Sequence, residues 1–148
     1  MNNIRNNRSD YQKNSLPELD TSRIQFKNKT ADLFDAVANK TAKTIANTHS
    51  RDVNKSTQLR KYYDEIIMWE QKIRQNPDNY SEYLPFIKML NAKVAYANGR
   101  NLVDTNFVDL MRHCTGQIQE DDINSFYTFK LFFEAFMGFY KMHKPKQT

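Results

Sequence analysis

The stretch Asp121-Asp122-Ile123-Asn124-Ser125-Phe126-Tyr127-Thr128-Phe129-Lys130-Leu131-Phe132-Phe133-Glu134-Ala135-Phe136-Met137-Gly138-Phe139-Tyr140-Lys141 decides the fold class. Its apolar residues, Phe126, Phe129, Leu131, Phe132, Phe133, Phe136, Met137, Phe139 and Tyr140, spread over about two-thirds of a helical wheel. Tyr127, Lys130, Glu134, Gly138 and Lys141 leave only a narrow polar strip. A helix this apolar belongs at the centre of a bundle, with part of its far side left for a partner. Asp121 and Asp122 stand where acids complement the positive end of the helix dipole.

Four further helices are expected upstream. Phe34, Val37, Ala38, Thr41 and Ile45 recur at helical spacing over about residues 30–47. Lys40 and Lys43 lie on the opposite, polar face. After a connection at 48–55, Ser56 or Thr57 is placed to cap a second helix that stops at Asn76-Pro77-Asp78-Asn79. Its stripe is Leu59, Tyr62, Tyr63, Ile66, Trp69 and Ile73. Arg60 flanks that stripe, Lys61 and Lys72 lie on the far face, and Lys61 and Glu65 form an i,i+4 pair. The third helix starts at Ser81 or Leu84, with Pro85 tolerated in the first turn. It buries Tyr83, Phe86, Ile87, Leu90, Val94 and Ala97, and Gly99 is expected to end it in the left-handed conformation. Asp104 caps the fourth helix, Val103 and Val108 form its hydrophobic staple, and Phe107, Leu110, Met111, Cys114 and Ile118 share its inner face.

Composition agrees with an all-α fold. Three Gly and four Pro in 148 residues are too few for a turn-rich β-sandwich or barrel, and ten Phe and eight Tyr supply an aromatic core. The expected architecture is a five-helix bundle over residues 29–148, preceded by a flexible basic tail at 1–28 that shows no sustained apolar period. The closing Lys144-Pro145-Lys146 reads as exposed and basic. A single Cys excludes a disulfide framework and suits a reducing cytoplasm. No run approaches a membrane span, and no signal peptide is evident.

Ordinary catalysis finds little support. His49, His113 and His143 are dispersed, no Glu-x-x-His motif occurs, and the glycines are too scattered to build a phosphate loop. Cys114 on an apolar face reads as a core residue, and neither a cofactor nor a metal is expected. The net charge is +5, concentrated in residues 1–55, where ten basic face six acidic side chains. Basic residues recur beside aromatics on helices, in Arg60-Lys61-Tyr62-Tyr63 and in the set Lys88, Lys93, Tyr96 and Arg100. Cations neutralise phosphates and tyrosines stack on bases; the other reading of these sets is core tyrosines beside solubilising charge.

Three segments carry a resemblance. They are Thr57-Gln58-Leu59-Arg60-Lys61-Tyr62-Tyr63, then Leu84-Pro85-Phe86-Ile87-Lys88-Met89-Leu90-Asn91-Ala92-Lys93-Val94-Ala95-Tyr96-Ala97, and Phe129 to Tyr140. In this order, with Gly99-Arg100 and Phe107-Val108 between them, the chain resembles the small helical subunit of type III-A CRISPR Csm effector complexes, the one usually numbered second. The resemblance covers about residues 56–142; nothing specific precedes it. It implies an all-helical, non-catalytic subunit whose copies line up as an inner filament along guide RNA and target RNA, beside other Csm subunits that cut and signal. On this reading Arg60, Lys61, Lys88, Lys93 and Arg100 contact RNA backbone, with Lys43, Lys55 and Arg112 as further candidates. The alternative is a helical protein–protein interaction module or scaffold without nucleic-acid contact.

Overall fold

The structure, a computed structural model, describes residues 16–144. The first helix opens as a π turn, Leu33–Val37, and continues as α1, Ala38–Ala46. Then come α2, Ser56–Gln75, a 3-10 turn at Pro77–Asn79, α3, Tyr80–Lys88, α4, Leu90–Gly99, α5, Thr105–Thr115, and α6, Ile123–His143. The described residues hold no strand. The all-α, five-helix expectation holds, with the third helix divided at Met89. There the amide donates to the Phe86 carbonyl at 3.2 Å before the α ladder resumes with Lys93 N to Met89 O at 3.0 Å.

α6 is the central helix and packs on the π turn, α1 and α2, while α4 packs on α5. Phe126, Phe129, Phe132, Phe133, Phe136 and Tyr140 are fully buried along it. Most of their rings meet in tilted and edge-on pairs, such as Phe129 and Phe133 with centroids 5.2 Å apart, and Phe136 stacks on Tyr140 at 5.4 Å and 27°. The polar strip of α6 is divided: Tyr127 and Lys130 are half-buried against α2, while Glu134, Gly138 and Lys141 are exposed. Lys130 lies 3.6 Å from Glu70 and 3.1 Å from Glu134 with only 15% of its side chain exposed, and Arg74 covers the Tyr127 ring at 4.3 Å. The outer side of α6 also exposes Leu131 and Met142.

Local signals at helix starts are partly kept. Asp104 caps α5 by accepting from Phe107 N at 3.0 Å, and Asp122 caps α6 by accepting from Asn124 N at 3.1 Å. Neither Ser56 nor Thr57 caps α2; Lys55 holds the cap position without a side-chain bond. Pro85 lies inside α3, which begins five residues before it, at Tyr80. Gly99 stays helical, and the left-handed residue is Asn101, with φ 60°. An asparagine tolerates that region better than other side chains do. Phe86 is 55% exposed rather than core. The buried line of α3 and α4 is Tyr80, Leu84, Ile87, Leu90, Val94 and Ala97, and Phe86 falls to its flank.

Two long-range features stand outside the sequence expectations. The tail at 1–28 is not all tail: residues 16–28 form a strap along α5, and residues 1–15 lie outside the described residues. Asn106 donates to the Pro17 carbonyl at 2.9 Å. Gln117 clamps the strap from both sides, donating to the Ile24 carbonyl and accepting from Phe26 N, each at 2.9 Å. His113 Nε2 also meets the Ile24 carbonyl at 2.8 Å, which requires the proton on that nitrogen. Ile24 is fully buried, and Phe26 sets its ring 5.9 Å from Phe132 and 6.5 Å from Phe129.

The second feature is a polar knot around Asn54, which is fully buried with φ 56°. Its amide donates to the Ile45 carbonyl at 3.1 Å and its side-chain oxygen accepts from Asp104 N at 3.0 Å. Its own backbone donates to the Leu102 carbonyl at 3.0 Å and accepts from the Tyr140 hydroxyl. Burial pushes the Tyr140 phenol well above its usual range, keeping it a protonated donor. Lys144, expected to be exposed, is buried beside this knot and donates to the Val53 carbonyl at 2.9 Å. Desolvation lowers its pKa, and the nearby Asp104 carboxylate opposes that shift. Pro145 and Lys146 lie outside the described residues.

Candidate nucleic-acid interface

The face with the densest chemistry is an open one that α2 and α4 both line, joined across it by the Lys93–Glu65 ion pair. Leu59, Tyr62, Ile66 and Ile73 turn α2 into the core, and Leu90, Val94 and Ala97 do the same for α4. The residues one position off each stripe must then stand at its edge. They line an open groove of about 480 Å³. Gln58, Lys61, Tyr62 and Glu65 come from one wall, and Ala92, Lys93, Tyr96 and Arg100 from the other.

Three of the eight sequence candidates therefore converge: Lys61, Lys93 and Arg100. Lys61 has no ion-pair partner among the described residues. Lys93 reaches across the groove to the Glu65 carboxylate, which displaces the expected Lys61–Glu65 pair. The second carboxylate oxygen of Glu65 is buried without a hydrogen-bond partner. Arg100 holds its guanidinium 5.7 Å from the Tyr96 ring centroid. Tyr96 itself is 68% exposed. Tyr62 closes the floor, its hydroxyl accepting from Gln58 Nε2 at 2.9 Å, and burial raises its pKa. Three cations against one carboxylate leave the groove electropositive.

The remaining candidates stand elsewhere. Arg60 leans along its own helix to Asp64 at 3.8 Å, and Lys55 lies 3.6 Å from Asp52. Lys88 is exposed on α3 beyond the end of the groove, Lys43 is exposed on α1, and Arg112 is exposed on α5. Beyond Glu65, α2 meets α3 in an aromatic ledge. Trp69 stacks on the exposed Phe86 at 6.2 Å and 17°, and Lys72 Nζ lies 5.2 Å from the Trp69 ring. The sequence pattern missed Glu65 as a groove residue. Its signal was an acid one turn beyond Lys61 on an otherwise basic flank.

No group of His, Cys, Asp and Glu among the described residues is arranged to hold a metal ion. Cys114 is buried, and desolvation pushes its thiol well above the ordinary range, so it packs as a small apolar side chain. His113 and His143 are engaged with Ile24 and Asn39. No helix among the described residues is long and apolar enough to cross a membrane.

A family model described as Csm2 Type III-A matches residues 28–146. Comparisons with curated proteins and with solved structures give no match. The helical order, the aromatic central helix and a match over most of the chain agree: the chain belongs to the Csm2 Type III-A family.

Proposed function

We propose that this small subunit of the type III-A CRISPR Csm complex binds the sugar–phosphate backbone of guide RNA and target RNA in the α2–α4 groove, without reading their sequence. The observation that supports this reading is the convergence of Lys61, Lys93 and Arg100 on one open face. Point charges at a groove wall neutralise phosphates of any sequence. An RNA-guided complex needs that indifference, because base pairing carries the readout.

A groove with so few cations binds weakly alone. Copies aligned as an inner filament sum such contacts through effective concentration. The exposed Leu131 and Met142 on the outer side of α6 are apolar surface for neighbouring copies or other Csm subunits. In this role the chain is non-catalytic, needs no cofactor and works in the cytoplasm.

The test is a salt titration of RNA affinity. Single-stranded binding weakens by about 0.7 log units per contacted phosphate per decade of salt. Replacing Lys61, Lys93 and Arg100 together by alanine is expected to flatten that slope by about two. The control combines Lys43→Ala, Arg60→Ala and Arg112→Ala, three cations outside the groove, and is expected to keep a slope close to that of the parent. Equal flattening by both triples removes the groove as the site. A parent chain with no salt-dependent RNA binding leaves the reading of a helical scaffold that touches only protein.

A further inference from the structure

We propose that Tyr96 is a base-stacking platform, so that the α2–α4 groove takes an unpaired nucleotide of a single RNA strand rather than the side of a duplex. This rests on the groove being the RNA site and specifies the form of RNA it accepts.

Phosphate neutralisation asks only for cations, yet this groove displays a large aromatic ring. Tyr96 is 68% exposed, although α4 has a complete buried stripe in Leu90, Val94 and Ala97 and does not need this ring for its core. Its surroundings keep the ring uncovered. Ala92 stands one turn before it, and Gly99 stands three positions after it with open space where a Cβ would project. Cations flank it on the same helical face, Lys93 three positions before and Arg100 four after. The Arg100 guanidinium lies over the ring, 5.7 Å from its centroid, within cation–π reach and held by no acid. A base that lies on Tyr96 takes the place of that guanidinium and frees it for a phosphate. An aromatic face stacks unpaired bases irrespective of their identity. The phosphates on either side of that base then fall to Lys93 and Arg100. A paired base is already stacked on its neighbours within the helix and has no face to offer.

The full chain is titrated at low salt with a single-stranded RNA carrying one 2-aminopurine, and separately with the same RNA in a duplex. The parent is expected to quench the 2-aminopurine of the single strand, as stacking does. Tyr96→Ala is expected to lower the ratio of single-strand to duplex affinity by about tenfold and to lose the quenching. Tyr96→Phe, which keeps the ring, is expected to retain both. The exposed position makes each variant a fold-neutral change. A ratio unchanged in Tyr96→Ala, or a loss shared equally by both RNA forms, overturns the stacking role while leaving the groove as a backbone site. Absence of binding to either form by the parent overturns the RNA reading itself.

Discussion

Asn54→Ala is expected to destabilise the protein by about 3–4 kcal/mol. The substitution removes a buried side chain that satisfies two backbone groups at once, the Ile45 carbonyl and the Asp104 amide. Leaving a buried donor or acceptor unsatisfied costs about 1–3 kcal/mol each. Alanine must also hold φ 56°, a left-handed conformation that costs a Cβ-bearing residue about 1–2 kcal/mol. Asn54→Gly separates the two causes: it relieves the backbone penalty and keeps the loss of both bonds, so it is expected to recover about 1 kcal/mol. Urea unfolding of both variants measures this. A loss below about 1 kcal/mol for alanine would show that water replaces the side chain and that the knot adds little. The knot matters for function because it fixes the entry to α2 against the Leu102–Asp104 turn that follows α4, and so sets the spacing of the two groove walls.

Phe26→Ala is expected to cost about 3 kcal/mol, the range for truncating a buried aromatic. The ring is 2% exposed and sits against Phe129 and Phe132 of the central helix. Its loss is also expected to release the strap. The Phe26 amide, held only by the Gln117 side chain, then exchanges with solvent, and protease cuts before residue 29. Hydrogen exchange and limited proteolysis read the release directly. A variant of unchanged stability with the strap still protected would mean that the Gln117 clamp, not the ring, holds this segment.

These two sites mark where the sequence stops being legible. The central helix and the caps at Asp104 and Asp122 are readable because their causes are local: a wide apolar arc and an acid within three residues of the amide it receives. The strap is not readable. Ile24 and Phe26 alternate over too short a span to show a period, and their partner Gln117 lies 91 and 93 residues away. Lys144 looks like part of a basic tail because its acceptor, the Val53 carbonyl, is 91 residues distant. Phe86 looks like core because a wheel places it beside the buried stripe, and only the tertiary packing leaves it on the surface against Trp69.

The groove is an intermediate case. Lys61, Lys93 and Arg100 are each legible as cations off an apolar stripe, and the family resemblance singles out their segments. Their convergence depends on α2 and α4 lining one groove, which no local pattern states. The same dependence separates them from Arg60, one residue from Lys61 but rotated by about 100° on the helix, enough to turn it to Asp64 instead. Adjacent basic residues on a helix are therefore poor guides to a shared ligand, whereas residues on facing walls are good ones.

The most direct test of the account is a map of backbone amide chemical shifts as the full chain is titrated with single-stranded RNA. The account expects the largest changes at residues 58–65 and 92–102, with α1 and the exposed side of α5 nearly silent. Changes centred instead on Lys43 or Arg112, with the two groove walls unmoved, would contradict it.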